Sequence, residues 1–132
     1  LTEDLKPTGW CAKDVWVRSV LDVVVDNGET AVILDWKTGK HKEGSLQLEL
    51  FAAVGAAVMP AAAIFQTGFV WLKDKAIDIK TYRKADAGNT WSKFLPRVQR
   101  LETAVRTGDF PKTPSGLCRR YCPCKQCEYC GS

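Results

Sequence analysis

Two runs of β-branched and apolar residues, separated by a polar segment that contains Asn27-Gly28, constrain the fold of this chain more than any other feature. The runs cover residues 15–25 and 30–35. Asn and Gly tolerate the positive φ angles of a type I′ turn, a common two-residue link between antiparallel strands. The pattern therefore predicts a β-hairpin with its turn centred on Asn27-Gly28, so that the numbers of directly opposed residues add up to 55.

The segments after the hairpin alternate between the spacing of helices and the spacing of strands. An alanine-rich stretch has apolar residues three and four positions apart, which indicates a largely buried helix, and a later, more polar stretch indicates an amphipathic helix. The predicted elements are a helix at 45–59, strands at 63–72 and 76–82, and a helix at 91–106 that is kinked or restarted at Pro96. We therefore expect an α/β fold in which helices flank a mixed central sheet of about four strands.

Composition favours a globular chain without a membrane span. The 132 residues are 45% hydrophobic and 26% charged, which is enough apolar material for a core. The longest apolar stretch, residues 50–65, is shorter than the ~20 residues that cross a bilayer, so we expect no membrane span and no membrane partner. We expect the protein to act in the cytoplasm. Because Leu1 is not an initiator Met, we also expect an upstream segment to precede it.

The charge of the chain is unevenly distributed. Residues 1–50 hold nine acids and six bases, whereas residues 51–132 hold six acids and thirteen bases. Such a division suits a first half that holds a cation and a second half that binds a polyanion such as a nucleic acid. Ordinary solvated helix faces are the alternative explanation.

Two carboxylates and a lysine share one face of the predicted hairpin. In the predicted register Asp22 and Asp35 are diagonal neighbours ~7–8 Å apart, and strand alternation places Lys37 on the same face. Both acids lie within Val, Ile and Leu runs, where a carboxylate needs a partner. A divalent cation would supply one, and with a lysine beside it the group suits phosphodiester hydrolysis. The alternative is an exposed Asp35–Lys37 ion pair.

The residues around this acid pair resemble the PD-(D/E)XK nuclease superfamily, most closely its RecB-type and phage exonuclease branch. The similarity rests on Asp22, on Asp35-Trp36-Lys37 followed by Thr38-Gly39-Lys40, and on Gln47 at the start of a helix. It implies that Asp22 and Asp35 are ligands of Mg²⁺ or Mn²⁺, that Lys37 is the catalytic lysine, and that Gln47 contacts metal-bound water or DNA.

The resemblance also implies a function. It implies a metal-dependent DNA nuclease, more specifically an exonuclease that processes single-stranded DNA or duplex ends in phage or bacterial recombination, with a recombination or helicase partner. A phage-encoded copy would act in the host cytoplasm. We expect the DNA to contact Lys40, Lys42, Arg97, Arg100 and Arg106. His41, between the two lysines, is expected to be a solvated loop residue, with a phosphate contact as the alternative.

The sequence departs from the family pattern at two places. Phe51 stands where the family has a tyrosine after the glutamine, so any hydroxyl contact to DNA is lost there. The family also has an acid or histidine before the hairpin, where this chain has Glu3 and Asp4 near its start. We therefore expect that group to lie upstream of Leu1.

Five cysteines lie close together in a polar segment at the end of the chain: Cys118, Cys122, Cys124, Cys127 and Cys130. A segment with so little apolar material needs a metal or cross-links to order it, so we expect a core at 1–113 and a metal-binding tail at 114–132. The preferred zinc ligands are Cys118, Cys122, Cys127 and Cys130, which leaves Cys124 spare. The alternatives are disulfides and, from the RecB-type resemblance, a 4Fe–4S cluster with Cys11 as its upstream ligand.

Two other functions remain open from the sequence. One is a catalytically inactive nucleic-acid-binding module, in which the tail and the basic helix bind and the acid pair is unused. The other is a subunit that completes a larger nuclease or helicase, which a missing upstream acid would favour.

Overall fold

The computed structural model describes residues 1–42 and 46–131. Its strands are β1 (Val23–Asp26), β2 (Thr30–Lys37), β3 (Ile64–Trp71) and β4 (Ala76–Arg83), and its helices are α1 (Leu46–Val58) and α2 (Ala87–Thr107), with a 3₁₀ turn at Lys84–Asp86. The predicted order of these elements is confirmed. Ser45, which the predicted first helix included, lies outside the described residues.

The four strands form one mixed sheet in the order β1-β2-β3-β4. The central strands β2 and β3 are parallel, whereas β1 pairs with β2 and β4 pairs with β3 in antiparallel fashion. Parallel neighbours require a crossover, and α1 provides it between β2 and β3. The expected α/β fold with a mixed sheet and flanking helices is therefore confirmed.

The hairpin differs from its prediction in strand length. Only Val23–Asp26 of the run 15–25 is a strand. Before it, the backbone N–H groups of Trp16 and Val17 donate to the carbonyl of Leu1. The first part of the run therefore uses its hydrogen-bonding capacity on the start of the chain and does not pair with β2.

The predicted turn and register are also wrong. Val24 pairs with Ile33, so opposed residues have numbers that add up to 57. The turn is centred on Gly28 and Glu29, and of these two only Gly28 has a positive φ, of 92°, which excludes type I′ and fits type II′. Asn27 acts through its side chain, whose Oδ1 accepts from the backbone N–H groups of Glu29 and Thr30.

The core lies between the sheet and α1. Ile33 on β2 and Phe65 on β3 are fully buried on the face that α1 covers. Gly55 allows the helix to approach, because a Cβ there would lie 2.9 Å from the Phe65 ring. Thr67 Oγ1 donates to the Leu48 carbonyl of α1 at 3.0 Å, so the crossover helix is held to the sheet by a buried hydrogen bond as well as by apolar contact.

Two compact units make up the chain, Leu1–Pro96 and Arg97–Ser132, with the boundary inside α2 at Pro96. In the first unit, Trp91 is 6% exposed and packs against Ala53 and Val54 of α1. In the second unit the apolar residues Leu101 and Val105 of α2 are exposed. Among the helices described, none is both long enough and apolar enough to span a membrane.

Candidate active site

The carboxylate of Asp35, the ammonium of Lys37 and the amide of Gln47 form one connected group. Lys37 Nζ lies 2.5 Å from Asp35 Oδ2 and donates to Gln47 Oε1 at 3.2 Å. Gln47 Nε2 in turn donates to Asp35 Oδ1 at 3.4 Å. Asp35 and Lys37 are alternate residues of β2, and Gln47 lies in the first turn of α1, so the crossover connection itself assembles the group.

Asp35 is the chemically distinctive member of this group because it is a buried acid, only 9% exposed. Its Oδ2 is buried and receives no directed hydrogen bond from the described residues, so Lys37 is its charge partner there. Carboxylate oxygens are the ligands that Mg²⁺ and Mn²⁺ prefer. A buried carboxylate that is paired with a single ammonium therefore also fits a divalent cation, whose charge would add to that of the ammonium.

Asp22 lies one residue before β1 and is exposed. Extending the observed register places it level with Asp35, so the predicted diagonal arrangement is wrong, but a shift of two residues keeps the same face of the sheet. Its Oδ2 accepts from the backbone N–H of Trp36 at 3.1 Å. The side chain thus ends the β1–β2 ladder and is tethered to the strand that carries Asp35.

Lys37 rests on an aromatic side chain of the neighbouring strand. Its Nζ lies 4.7 Å from the centre of the Phe69 ring, and Phe69 is the register partner of Asp35 on β3. A cation over a ring face is attracted by the ring quadrupole, which holds the ammonium close to the carboxylate. Sequence reasoning missed Phe69, because its role depends on which strand lies beside β2.

A second polar group lies at the end of β2. His41 Nε2 is 2.7 Å from Asp78 Oδ2 on β4, and Trp71 Nε1 donates to the same oxygen at 2.8 Å. His41 is an exposed loop residue, as expected, but its ring is also bound by a strand that the sequence does not show to be nearby. Asp78 interrupts the apolar pair Ile77 and Ile79, and that alternation was the one signal that could have drawn attention to it.

Phe51, which stands where the resembling family has a tyrosine, has a structural role in this chain. Phe51 is 4% exposed and belongs to the hydrophobic core, so it presents no group to a substrate. Glu3 and Asp4 are exposed. Across residues 1–42 and 46–131, no three His, Cys, Asp or Glu side chains are grouped to hold a metal ion, so neither acid joins Asp22 and Asp35 in such a cluster.

The residues expected to contact DNA are exposed in both units. Lys40 and Lys42 flank His41 in the loop after β2. Arg97, Arg100 and Arg106 are exposed on the part of α2 that belongs to the second unit. Exposed guanidinium and ammonium groups are the side chains that bind phosphates.

The cysteines of the tail are free thiols. The pKa of the Cys124 thiol is raised, first by the charge and the hydrogen bond of neighbouring Cys122 and then by burial, with smaller effects from Cys127 and Cys130. Cys124 thus interacts with neighbouring Cys122, although the sequence left it spare. Among the described residues 1–42 and 46–131, no three of these thiols are grouped to hold a metal ion. Cys118 is tied in differently, since its carbonyl accepts from the Gly131 N–H at 3.0 Å and its Sγ from the Ser115 N–H at 3.4 Å.

Comparison with known proteins identifies the family of the chain. The family model of the PD-(D/E)XK nuclease superfamily matches residues 3–130, a range that contains the acid pair, Lys37 and Gln47. No curated protein and no solved structure matches the chain significantly. The match covers nearly the whole sequence. In the structure, Asp35 and Lys37 lie on β2 of the mixed sheet and Gln47 lies at the start of the helix that follows it. The chain belongs to the PD-(D/E)XK nuclease superfamily.

Proposed function

We propose that the chain is a divalent-metal-dependent DNA nuclease, of the RecB-type branch, that acts as an exonuclease in phage or bacterial DNA recombination and processing in the cytoplasm. The observation that carries this proposal is the buried Asp35 carboxylate, whose Oδ2 is paired with the Lys37 ammonium and, within the described part of the chain, has no directed hydrogen bond. Membership of a superfamily of metal-dependent phosphodiester hydrolases supports it. A recombination or helicase protein is the partner we expect in the cell.

The proposed mechanism assigns one task to each side chain. Asp22 and Asp35 would hold Mg²⁺ or Mn²⁺, which, when bound, polarises a phosphoryl oxygen and lowers the pKa of a water. Lys37 orients the attacking water and neutralises charge that develops on the phosphate. Gln47 accepts a hydrogen bond from Lys37 Nζ and donates to Asp35, so it holds the two side chains in place relative to each other.

The test of this function is digestion of end-labelled single-stranded and duplex DNA in Mg²⁺, in Mn²⁺ and in EDTA. We expect cleavage only with the divalent ion, and loss of labelled ends before internal cuts if the enzyme is an exonuclease. Asp35→Ala protein, purified in the same way, controls for contaminating nucleases. Cleavage that is equal in EDTA would contradict the assignment.

One observation favours a second candidate, a nucleic-acid-binding module without catalysis. In the part of the chain that the structure describes, Asp22 and Asp35 are not joined by a third acid, His or Cys that could complete a metal site. Such a module would bind DNA equally well in EDTA and in Ca²⁺ and would cleave nothing. The same digestion and binding measurements therefore separate the two functions.

The loop lysines are expected to bind the DNA backbone. Replacing both Lys40 and Lys42 with Glu should weaken binding roughly ten- to hundredfold for every DNA sequence alike and flatten its salt dependence, because phosphate contacts carry no base information. Fluorescence anisotropy in Ca²⁺ measures this. The paired change Lys6→Glu and Lys13→Glu, at two exposed lysines of the N-terminal segment, alters the net charge equally and controls for long-range field.

Comparison of the two double variants shows whether a contact at the loop or the net charge governs DNA binding. An equal loss of affinity in both double variants would mean that net charge, not a contact at the loop, governs binding. Unchanged affinity of the Lys40 and Lys42 variant, together with equal affinity in Ca²⁺ and EDTA, would show that DNA does not cross this loop.

We propose that residues 114–132 form a zinc-binding tail that follows a nuclease core at 1–113 in the sequence. Elemental analysis should give about one zinc per chain, and a chelator should disorder the tail without melting the sheet, because the metal supplies the folding energy of such segments. Replacement of Cys118, Cys122, Cys127 or Cys130 by Ser should lower the zinc content, whereas Cys124→Ser should keep it.

The same variants distinguish the alternative cofactors. Brown protein with iron, an absorbance near ~400 nm and loss of both in Cys11→Ser would identify an iron–sulfur cluster. Loss of zinc in Cys124→Ser, with zinc kept in Cys118→Ser, would replace Cys118 by Cys124 in the ligand set.

A further inference from the structure

The single histidine of the chain is held in place from three sides. Its Nε2 is 2.7 Å from Asp78 Oδ2 on β4. Its ring meets the Trp71 ring of β3 edge-on, with the ring centres 5.2 Å apart. Its backbone N–H donates to Asp74 Oδ2 at 2.9 Å, in the turn between β3 and β4. A loop residue that two strands and a turn fix in this way has a defined orientation.

His41 is linked to the catalytic lysine by a short series of contacts. Trp71, whose ring meets the His41 ring edge-on, is the register partner of Lys37. The side chains of Trp71 and Lys37 therefore lie on the same face of the sheet. Trp71 also meets Phe69 edge-on with 5.7 Å between the ring centres, and Phe69 lies under Lys37 Nζ. The imidazole is therefore located beside the proposed active site, where β2 ends.

The contacts of His41 decide which ring nitrogen is open to a ligand. Hydrogen bonds from Trp71 and then from His41 lower the pKa of the Asp78 carboxyl below its usual range, and the charge of Lys80 adds to this. Asp78 is thus a carboxylate throughout the pH range in which histidine titrates. Because Nε2 faces that carboxylate, Nδ1 is the nitrogen that can meet a ligand, and the side chain is 37% exposed.

We propose that His41 is a DNA-binding residue of this enzyme, whose protonated ring donates from Nδ1 to a backbone phosphate of the substrate strand next to the scissile one. This inference rests on the nuclease function proposed above. Protonation supplies a second N–H, so binding should tighten as the pH falls from 8 to 5.5. The charged groups around His41 are Asp78 on β4, which contacts the ring, Asp74, which accepts from its backbone N–H, and Lys40 and Lys42, its neighbours in sequence.

The experiment is a DNA-binding titration of full-length wild type, His41→Gln and His41→Arg between pH 5.5 and 8, by anisotropy of a labelled single-stranded oligonucleotide in Ca²⁺ at fixed ionic strength. Wild type should bind roughly tenfold tighter at the acid end, about the size of one charge-assisted hydrogen bond. His41→Gln should lose this pH dependence and match wild type at pH 8. His41→Arg should bind tightly at both ends. Lys13→Gln, which removes an exposed charge elsewhere, should keep the wild-type profile.

A purely structural role for His41 gives a different pattern. If the ring only fastens the loop to β4, His41→Gln should lower the melting temperature and weaken binding equally at all pH values, and that result would overturn the proposal. So would a wild-type pH profile in His41→Gln. A measurement without substitution supports the same decision: because the chain has one histidine, its ring NMR signals are unambiguous, and the midpoint of their titration should rise when DNA is added.

Failure of this inference can be distinguished from failure of the nuclease assignment. If wild type cleaves DNA in Mg²⁺ and Asp35→Ala does not, the nuclease stands, and an unchanged His41 titration on adding DNA removes only the phosphate contact. If wild type cleaves nothing but shows the expected pH-dependent binding, the histidine contact stands and the catalytic assignment falls.

Discussion

Asp35→Ala and Lys37→Ala are each expected to lower the rate of DNA cleavage roughly a thousandfold or more, while DNA binding in Ca²⁺ changes far less. The reason is that both groups act on the reacting phosphate, through the metal in one case and through charge neutralisation in the other, and such interactions are strongest in the transition state. Single-turnover cleavage of end-labelled DNA with excess enzyme measures the chemical step.

The two side chains work as one unit, which sharpens this prediction. Because Lys37 Nζ lies 2.5 Å from Asp35 Oδ2, removal of either group disturbs the other, and the double variant should be little slower than the single ones. Lys37→Gln keeps a hydrogen-bond donor beside the buried carboxylate, so it should fold more stably than Lys37→Ala while remaining inactive.

A matched control comes from the same hairpin. Glu29 is an exposed acid in the turn, so Glu29→Gln removes an equal charge without touching the site and should cleave like wild type. Near-normal cleavage by Asp35→Ala or by Lys37→Ala would disprove the proposed roles of these residues.

Phe65→Ala is expected to lower the free energy of unfolding by ~3–5 kcal/mol, since it removes a fully buried aromatic ring and leaves a cavity. Phe65 has 0% exposure, and its ring lies so near Gly55 of α1 that a Cβ at that glycine would be 2.9 Å from it. Urea denaturation followed by circular dichroism measures the loss. Cleavage should fall with stability, because the same contact holds α1, and with it Gln47, over β2.

The control for this prediction is the same substitution at an exposed ring. Phe110 is 60% exposed, so Phe110→Ala should change the free energy of unfolding by less than about 0.5 kcal/mol. A loss at Phe65 below about 1 kcal/mol would mean that the core closes over the cavity or that the ring does not fill it.

The β1–β2 hairpin shows which structural features a local sequence pattern can predict. The β-branched runs around Asn27 predict two antiparallel strands, and those strands form. The turn type and the register were wrong, because the Asn27 side chain competes with the backbone for hydrogen bonds and moves the turn by one residue. Asp22 and Asp35 are still on the same face of the sheet because the register shifts by two residues. A shift of one residue would have turned Asp22 away from Asp35.

Some features of the candidate active site also follow from the sequence, and others do not. Asp35 and Lys37 share a face because side chains two residues apart on a strand point to the same side. Gln47 begins the helix that connects this strand to its parallel neighbour. The position of these three residues therefore follows from the order of the sequence. The start of β1 directly after Asp22 does not follow from it. It depends on a hydrogen bond from the Trp36 N–H to the Asp22 side chain, and no local pattern encodes the distance between these two residues.

By itself, the sequence determined the order of strands and helices, the α/β class, the acid and lysine of β2 and the superfamily, because each of these depends on the spacing of residues that lie near one another along the chain. Only the tertiary structure decided that Phe69 supports Lys37 and that Asp78 and Trp71 hold His41 at the end of β2. The physical reason is that these contacts cross between strands, and their partners are selected by the register of the sheet and the packing of α1, which are properties of the whole folded chain.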